Sequence, residues 1–578
     1  MTFEIRGNQF VKDGKPIKII SGAVHYFRNM PDTWCDIFAK LKAMGCNCVE
    51  TYCAWNMHEK VEGQFDFSGI LDIARFIKTA QQFDLMVIVR PGPYICAEWD
   101  FGGLPWWIQC HDDMEIRCMN KEYIFCFDRY LDQLCHQIRP LLCTNGGPVI
   151  MVQCENEYGY YGDDKVYLNY LKDGFIRRGI DVPLFTSDGT SKTDLLDGTI
   201  DGCLATLNFG SQVEERFAAH DELFPDSPKM CMEMWNGWFD AWGDEVHHTT
   251  SAEDYAKTVD DMLTRGSVNM YMFIGGTNFA FTSGANHYET FTPDVTSYDY
   301  DALLTECGDI TPKYMAVRQV IQKHVDAQLP PIPANREKAA YGKVALENRI
   351  GFFEALPLLA KPIHADVPQC MEKYGIGYGY IAYRTKLNRD YNEVSLSFES
   401  LGDRAQIYVN DQLMDILYIN DRLQTTVTAK AGDTLTVLCE NMGRTNFGPK
   451  MMRKKGIAGR CLLDGKIHFH WDVYPLPMEQ LDVLTYTNKA FSEKTAFYKG
   501  SFVVDAAKDT FLKLDAFKKG FVTINGFNIG RYWEVGPQQT LYVPSSILKA
   551  GENEIVVFET DGLKGAPEVE FCDTPILG

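Results

Sequence analysis

The chain has 578 residues, of which 46% are apolar and 23% are charged, and its formal net charge is −22. One hydrophobic core does not extend over this length, so we expect a globular protein of several domains. The negative charge argues against nucleic acid or an anionic membrane as partner and favours a neutral or cationic small-molecule substrate.

The apolar stretches of the chain are too short to predict a membrane span. Val87–Val89 stops at Arg90, and Met270–Ile274 runs into Gly275, well short of the about 18 residues needed. Charges from Glu4 onward do not resemble a secretory leader. The 18 cysteines are scattered and form no CxxC pair. We therefore expect a cytoplasmic protein with reduced thiols, and homo-oligomerisation stays open.

Residues 1–330 alternate short apolar runs with amphipathic stretches at helical spacing. The eight runs of strand length lie at residues 17–24, 46–53, 85–90, 149–154, 184–186, 202–207, 229–233 and 267–274. This alternation predicts an α/β fold with a (β/α)8 TIM barrel over residues 1–330. A doubly wound sheet is the alternative, but Ser21–His25, after the first run, is no glycine-rich phosphate loop.

After the proline-rich linker Leu329–Pro333, apolar and polar residues alternate with a period of two, which is typical of antiparallel strands. A weak repeat relates Lys430–Val437 to Lys549–Val556. We predict two all-β sandwich domains of jelly-roll type, at residues 336–476 and 477–578. The segment Tyr341–Leu359 fits either sandwich.

Carboxylates stand at the ends of two predicted barrel strands. The fourth run leads into Glu155-Asn156-Glu157, and the seventh ends at Glu233. Catalytic groups of TIM barrels lie at these strand ends, and glycoside hydrolysis needs two carboxyl groups flanking one bond. Tryptophans 235, 238 and 242 follow Glu233, and aromatic rings stack on sugar faces. By strand alternation Glu155 and Glu157 share a side, so parity does not choose between them.

Six stretches of the chain resemble the β-galactosidases of glycoside hydrolase family 35, and in particular unsecreted bacterial members that prefer β-1,3-linked galactosides. They are Glu50–Glu59, Arg90–Trp99, Gly102–Trp106, Glu155–Gly159, Tyr271–Phe279 and Thr296–Ala302. The resemblance implies a barrel of the retaining glycosidase clan, followed by two all-β domains of the galactose-binding-like sandwich type.

The resemblance implies that Glu157 is the acid/base and Glu233 the nucleophile of a double displacement. It implies carboxyl groups about 5–5.5 Å apart and a raised pKa for Glu157. Further positions match residues that line the galactose subsite in this family: Tyr52, Cys96, Ala97, Glu98, Tyr271 and Tyr300. Asn156 resembles the amide that binds the sugar 2-hydroxyl, and Tyr298 is a further candidate for sugar binding. For Tyr271 and Tyr298, ordinary packing in the barrel mouth is the alternative.

One departure from the family pattern is Trp235, where members often carry tyrosine. Its indole can only donate through N–H, and we expect Trp235, Trp238 and Trp242 to form a platform for the leaving group, with rim packing as the alternative for Trp238 and Trp242. Histidines 25, 58, 111 and 287 lack the spacing of a catalytic metal site, so we expect no metal and no cofactor.

The leading hypothesis is an exo-acting retaining β-galactosidase that removes terminal β-galactose from short glycans, with β-1,3 linkages as the finer expectation. One alternative is a related exo-glycosidase, such as a β-glucosaminidase, on the same scaffold. Another is a catalytically silent galactoside-binding protein. We expect the β domains to shape the barrel mouth rather than to bind sugar.

Overall fold

The computed structural model describes residues 1–298, 300–488 and 493–578. Eight parallel strands close into a barrel, which confirms the predicted fold class. Each strand is almost entirely buried, which explains its nearly continuous apolar sequence. In chain order, β1 to β8 are Ile20–Ala23, Cys48–Tyr52, Met86–Arg90, Val149–Gln153, Leu184–Asp188, Cys203–Phe209, Met230–Trp235 and Ser267–Tyr271.

Helices surround the barrel and cover its strands. They are Trp34–Met44, Trp55–His58, Ile73–Gln82, Lys121–Ile138, Lys165–Arg177, Lys192–Gly198, Val213–Arg216, Ala218–Leu223, Ala252–Arg265 and Pro312–His324. The longest begins after Asn120, whose side chain accepts the free N–H groups of Glu122 and Tyr123. Within the described ranges, no helix combines the length and the apolarity required to cross a membrane.

The first all-β region is a sandwich of two antiparallel sheets around one core. The larger sheet contains, in spatial order, Ile363–Ala365, Trp471–Leu476, Tyr380–Lys386, Thr434–Glu440, Arg404–Val409 and Gln412–Tyr418. The smaller contains Gln424–Ala429, Tyr391–Phe398, Cys461–Leu463 and Lys466–Ile467.

The second all-β region is also a two-sheet sandwich. One sheet contains Asn348–Gly351, Ala496–Val504, Gly551–Glu559, Lys519–Ile524 and Phe527–Trp533, and the other contains Gly342–Ala345, Glu568–Cys572, Thr510–Lys513 and Thr540–Val543. Residues 342–351 therefore complete the C-terminal sandwich and pair across the boundary proposed at residue 477. The helix Phe352–Leu359 then leads into the first sandwich. The division of the sequence at 336–476 and 477–578 stays a prediction.

Three small sheets complete the described structure. They comprise Phe3–Arg6 with Gln9–Lys12 and Lys15–Ile17, Phe291–Pro293 with Ala285–His287 and Thr445–Phe447, and Leu401–Gly402 with Gly456–Ile457. In the second of them, the barrel segment Ala285–His287 pairs in parallel with Thr445–Phe447 of the first all-β domain. This pairing brings the β domain to the mouth of the barrel.

A buried arginine fastens the same β domain to the barrel. The Arg444 guanidinium lies 2.7 Å from the Glu372 carboxylate and 3.7 Å from that of Asp100 in the barrel. All three side chains are fully buried, and the Arg444 backbone N–H also donates to Asp100 at 2.7 Å. Separating the domains would leave buried charges without their partners, which costs free energy. The contact therefore stabilises this arrangement of the two domains.

Candidate active site

A cavity of about 850 Å³ opens at the carboxyl ends of the barrel strands. Both Glu157 and Glu233 line it. The other predicted residues on its wall are Cys96, Ala97, Glu98, Trp235, Trp238, Tyr271 and Tyr298. The chain therefore brings together residues at or beyond the ends of β3, β4, β7 and β8 around one space large enough for a small glycan.

Glu233 lies near the end of β7 and is held by two strong donors on one oxygen. Its Oε1 accepts hydrogen bonds from the Tyr52 hydroxyl at 2.6 Å and from the Arg90 guanidinium at 2.7 Å. Its Oε2 has one longer bond, from the Trp235 indole N–H at 3.3 Å. The arginine places a positive charge directly beside this carboxylate, and Oε2 remains the less engaged oxygen.

Glu157 follows β4 in an irregular turn rather than in the strand. The strand ends at Gln153, and Glu155 and Glu157 have φ values of 62° and 47°. Strand alternation therefore does not apply to them, and the expectation that their side chains share a side was wrong. Glu157 Oε1 accepts a hydrogen bond from the Asn208 amide at 3.1 Å. Burial, and next the charge of Glu233, raise the pKa of Glu157 to about 8.

Glu155 turns away from the cavity. Its side chain is buried, forms a salt bridge with Arg117 at 2.7 Å, and accepts a hydrogen bond from the Tyr167 hydroxyl at 3.0 Å. The left-handed backbone of both residues breaks the alternation of the strand, so the Glu155 and Glu157 side chains need not share a side.

Tyr52 and Asn156 adjoin the cavity carboxylates, Tyr52 through its bond to Glu233 and Asn156 as the residue before Glu157, but neither is among the described residues that line the cavity. Asn156 Oδ1 accepts hydrogen bonds from Tyr52 at 2.8 Å, Arg90 at 2.8 Å and Gln153 at 2.9 Å. Three donors on one oxygen fix the orientation of the amide. The Asn156 Nδ2 group is thereby oriented as a donor.

Arg90 is a site residue that the sequence analysis did not single out. Fully buried at the end of β3, it bonds Glu233 and lies 3.8 Å from Glu50. Burial raises the pKa of Glu50 to about 7, and the arginine opposes that rise. An arginine at the end of the apolar run Met86–Val89 was the available signal, because a buried charge requires partners.

The segment Cys96–Glu98 forms an unusual backbone turn on the cavity wall, with φ values of 57°, 61° and 50° in succession. The Glu98 carboxylate accepts a hydrogen bond from the Ser297 hydroxyl at 2.8 Å. Burial raises the pKa of Glu98 to about 7, partly opposed by the charge of Arg28. A carboxyl group of this kind can hold a sugar hydroxyl.

Aromatic rings form the outer part of the wall. Trp235 and Trp238 meet edge to face at 5.4 Å, and Trp238 is 39% exposed. Three more rings line the cavity that sequence reasoning missed: Tyr160, Tyr288 and Phe447. The ring centroid of Phe447 lies 6.4 Å from that of Tyr160 and 6.2 Å from that of Tyr288. Phe447 and Asn446 come from the first all-β domain, so that domain shapes the cavity.

Tyr300 is placed apart from the other predicted residues. Its ring lies 4.6 Å from that of His247, and it is not among the described residues that line the cavity. The neighbouring Asp299, which belongs to the same sequence motif, lies outside the described residues.

Comparison with known proteins identifies the family. The model of glycosyl hydrolases family 35 matches residues 9–324, more than half of the chain. The chain belongs to this family. Further models match residues 368–477, described as the first all-β domain of β-galactosidase, and residues 495–553, described as its galactose-binding domain. The resemblance noted from the sequence motifs is confirmed.

Full-length relatives agree with this family assignment. The β-galactosidase of Bos taurus is 41% identical over 100% of this chain and 94% of that protein. The β-galactosidase of Xanthomonas manihotis is 41% identical over 94% of this chain and 92% of that protein. The chain is therefore a glycoside hydrolase.

Two histidines considered as metal ligands are buried within this family 35 barrel. His25 contacts the Arg28 guanidinium at 2.6 Å, and His58 bonds the Tyr26 hydroxyl. In the part of the chain that the structure describes, two other groups have ligand atoms within 4.8 Å of one another: His364 with Asp366 and His470, and Asp240 with Asp244 and His248. Neither group is on the cavity wall.

The family 35 site contains two carboxyl groups whose hydrogen-bond partners differ in charge. Glu233 has a buried guanidinium and a phenol on one oxygen. Glu157 has a neutral amide, and its pKa is raised mainly by burial. Glu157 therefore favours its protonated form near neutral pH, whereas Glu233 lies in direct contact with a cation.

Proposed function

We propose that this family 35 enzyme is an exo-acting retaining β-galactosidase that releases terminal β-galactose from short glycans. The observation that carries the proposal is the split between the two cavity glutamates: Arg90 and Tyr52 bind Glu233, whereas burial raises the pKa of Glu157 to about 8. Nucleophile and acid can thus coexist at neutral pH. The names of the relatives support galactose as the sugar.

In the first step, Glu233 Oε2 attacks the anomeric carbon and forms a galactosyl ester. The choice of Oε2 is supported by the two short bonds to Oε1, which leave Oε2 with only the 3.3 Å contact to Trp235. Glu157 donates its proton to the departing glycosidic oxygen, so the leaving sugar departs as a neutral alcohol.

In the second step, Glu157 is ionised and acts as a base. It removes a proton from the incoming water, whose oxygen attacks the anomeric carbon and displaces Glu233. Glu157 is thereby protonated again, and Glu233 returns to its carboxylate form. Two inversions give overall retention of the β configuration. Apart from the substrate and water, the cycle uses only the side chains of Glu157 and Glu233, so it requires no cofactor.

Sugar recognition follows from groups around these carboxylates. The fixed Asn156 amide can donate to the sugar 2-hydroxyl, a bond that gains strength as charge develops at the anomeric centre. Glu98 is a second hydroxyl-binding group on the cavity wall. The exposed Trp238 ring supports a platform for the leaving sugar, with β-1,3 linkages as the proposed preference.

Product stereochemistry tests the mechanism. Proton NMR of the first-formed product from an aryl β-galactoside should show β-galactose, which then mutarotates. An α-galactose first product would refute retention. Hydrolysis of the matching aryl β-glucosaminide should be far slower than that of the galactoside, and the reverse result would favour the alternative sugar. A panel of β-1,3, β-1,4 and β-1,6 galactosyl disaccharides then decides the linkage.

Rescue by a small anion tests the assignment of Glu157. In the Glu157→Ala variant, azide should accelerate turnover of an activated aryl galactoside, because azide attacks the galactosyl ester without a base. The product should be β-galactosyl azide. In the Glu155→Gln variant azide should have no such effect, because Glu155 faces Arg117 rather than the cavity. Rescue of the Glu155 variant instead would reverse the assignment.

A further inference from the structure

Arg117 lies behind the turn that carries Glu157. Its guanidinium is almost completely buried and forms a two-point contact with Glu155, from Nε to Oε1 at 3.0 Å and from Nη2 to Oε2 at 2.7 Å. The same Nη2 group donates to the backbone carbonyl of Asn156 at 2.6 Å. That carbonyl belongs to the peptide that connects Asn156 to Glu157.

Both oxygens of the Glu155 carboxylate accept two hydrogen bonds each. Oε1 also accepts from the Tyr167 hydroxyl at 3.0 Å, and Oε2 accepts from the Asn156 backbone N–H at 2.6 Å. Together with Arg117 these bonds fix both peptide groups of Asn156. The turn has two non-glycine residues with left-handed φ, a conformation that persists only when the surroundings hold it.

Arg117 is itself held rigidly. Its guanidinium lies 4.0 Å from the ring centroid of Tyr94 and 4.3 Å from that of Tyr161, and its backbone carbonyl accepts the Tyr158 hydroxyl at 3.1 Å. Arg117 also contributes to the cavity wall, as does its neighbour Ile116. The loop that precedes the helix Lys121–Ile138 is thus coupled directly to the acid/base turn.

We infer that Arg117 is a positioning residue for Glu157, an inference that rests on the proposed acid/base role of Glu157. Arg117 fixes the Asn156–Glu157 peptide, so that the Glu157 carboxyl group meets the glycosidic oxygen. Its hydrogen bonds go to Glu155 and to the Asn156 carbonyl, so it acts on Glu157 through the backbone. Lysine can replace its charge but not its planar two-point contact.

Leaving-group dependence separates positioning from a merely structural role. A sugar leaving group needs a proton from Glu157, whereas 2,4-dinitrophenolate departs without one. The parameter kcat/KM reports the step in which the leaving group departs. Misplacing the acid should therefore lower kcat/KM for a galactosyl disaccharide and leave that for 2,4-dinitrophenyl β-galactoside near the parent value.

The test compares Arg117→Lys with Arg178→Lys. We expect Arg117→Lys to lower kcat/KM about 100-fold on the disaccharide, the effect of a displacement of about 1 Å. Arg178 also binds carboxylates, at 2.6 Å to Asp132 and 3.0 Å to Asp128, but none of these three residues lines the cavity. Arg178→Lys should leave kcat/KM for both substrates unchanged. Equal losses on both substrates for Arg117→Lys, or no loss, would overturn the inference.

Two further variants keep the test decisive. If Arg117→Lys does not fold, Tyr167→Phe removes the 3.0 Å bond to Glu155 and leaves Arg117 in place, and it should give a smaller loss with the same leaving-group dependence. Loss without that dependence would overturn the inference. Glu157→Ala should show the strongest dependence of all. If Glu157→Ala shows none, the proposed acid/base role fails and the role of Arg117 fails with it. If only the Arg117 variant shows none, the positioning role alone is overturned.

Discussion

Replacing Asn208 with alanine should change the pH range in which the enzyme works. Asn208 lies in β6, is buried, and donates from its amide to Glu157 Oε1 at 3.1 Å. This bond favours the ionised form of Glu157 and holds its pKa below the value that burial and the charge of Glu233 would otherwise give. Its loss should therefore raise the pKa of Glu157.

The size of the change follows from the strength of the bond. A hydrogen bond to a charged group contributes roughly 1.5–3 kcal/mol, and one pH unit corresponds to about 1.4 kcal/mol. Glu157 must be protonated to act as acid, so the rate falls as pH rises through its pKa of about 8. In Asn208→Ala the alkaline limb should move upward by about 1–2 pH units.

The assay is kcat/KM for a galactosyl disaccharide between pH 5 and pH 10, because this parameter reports groups of the free enzyme. Ser187→Ala is the matched control. Its hydroxyl donates to Asn208 Oδ1 at 2.6 Å, and its backbone carbonyl, which alanine retains, accepts the Glu157 N–H at 2.9 Å, so its alkaline limb should move less. An Asn208→Ala limb that stays in place or moves to lower pH would refute the reasoning.

Two further predictions concern stability and substrate binding. Arg90→Met should lower the free energy of unfolding by about 3–5 kcal/mol in urea, because it leaves Glu50 and Glu233 buried without their cation. The pKa of Glu50 in the folded enzyme is already above its ordinary 4.5, so between pH 5 and pH 8 the folded variant binds more protons than the unfolded chain. The free energy of unfolding of Arg90→Met should therefore fall as pH rises from 5 to 8. A loss that does not depend on pH would contradict this reasoning. Phe447→Ala should raise KM for disaccharides more than for aryl galactosides, and equal changes would exclude Phe447 from binding the leaving sugar.

The barrel was predictable because its signals are local. A buried strand such as Val149–Gln153 is apolar throughout, and a helix such as Lys121–Ile138 carries apolar residues at helical spacing. The carboxylate at the end of β7 could also be found, since parallel strands bring their carboxyl ends to one face.

Other features depended on contacts between distant parts of the chain. Phe447 reaches the cavity because Thr445–Phe447 pairs with Ala285–His287, about 160 residues earlier, and no local pattern predicts that pairing. The partners of residues 342–351 lie near residues 500 and 570, so the sequence left their sandwich open.

The different orientations of Glu155 and Glu157 also depend on a contact with a distant part of the chain, which no local pattern predicts. Sequence alternation treats them as equivalent, but both adopt left-handed backbone, and Arg117 binds one of them. The arginine is nearly 40 residues earlier in the chain. Only the family resemblance favoured Glu157 before the structure was known.

Trapping the covalent intermediate tests the central claim most directly. A 2,4-dinitrophenyl 2-deoxy-2-fluoro-β-galactoside should inactivate the enzyme, because fluorine slows both steps and the activated leaving group restores the first. Peptide mass spectrometry should then find one fluorogalactosyl group on Glu233, and Glu233→Gln should remain unlabelled. Labelling of Glu98 or Glu157, or turnover of this substrate without any adduct, would contradict the proposed mechanism.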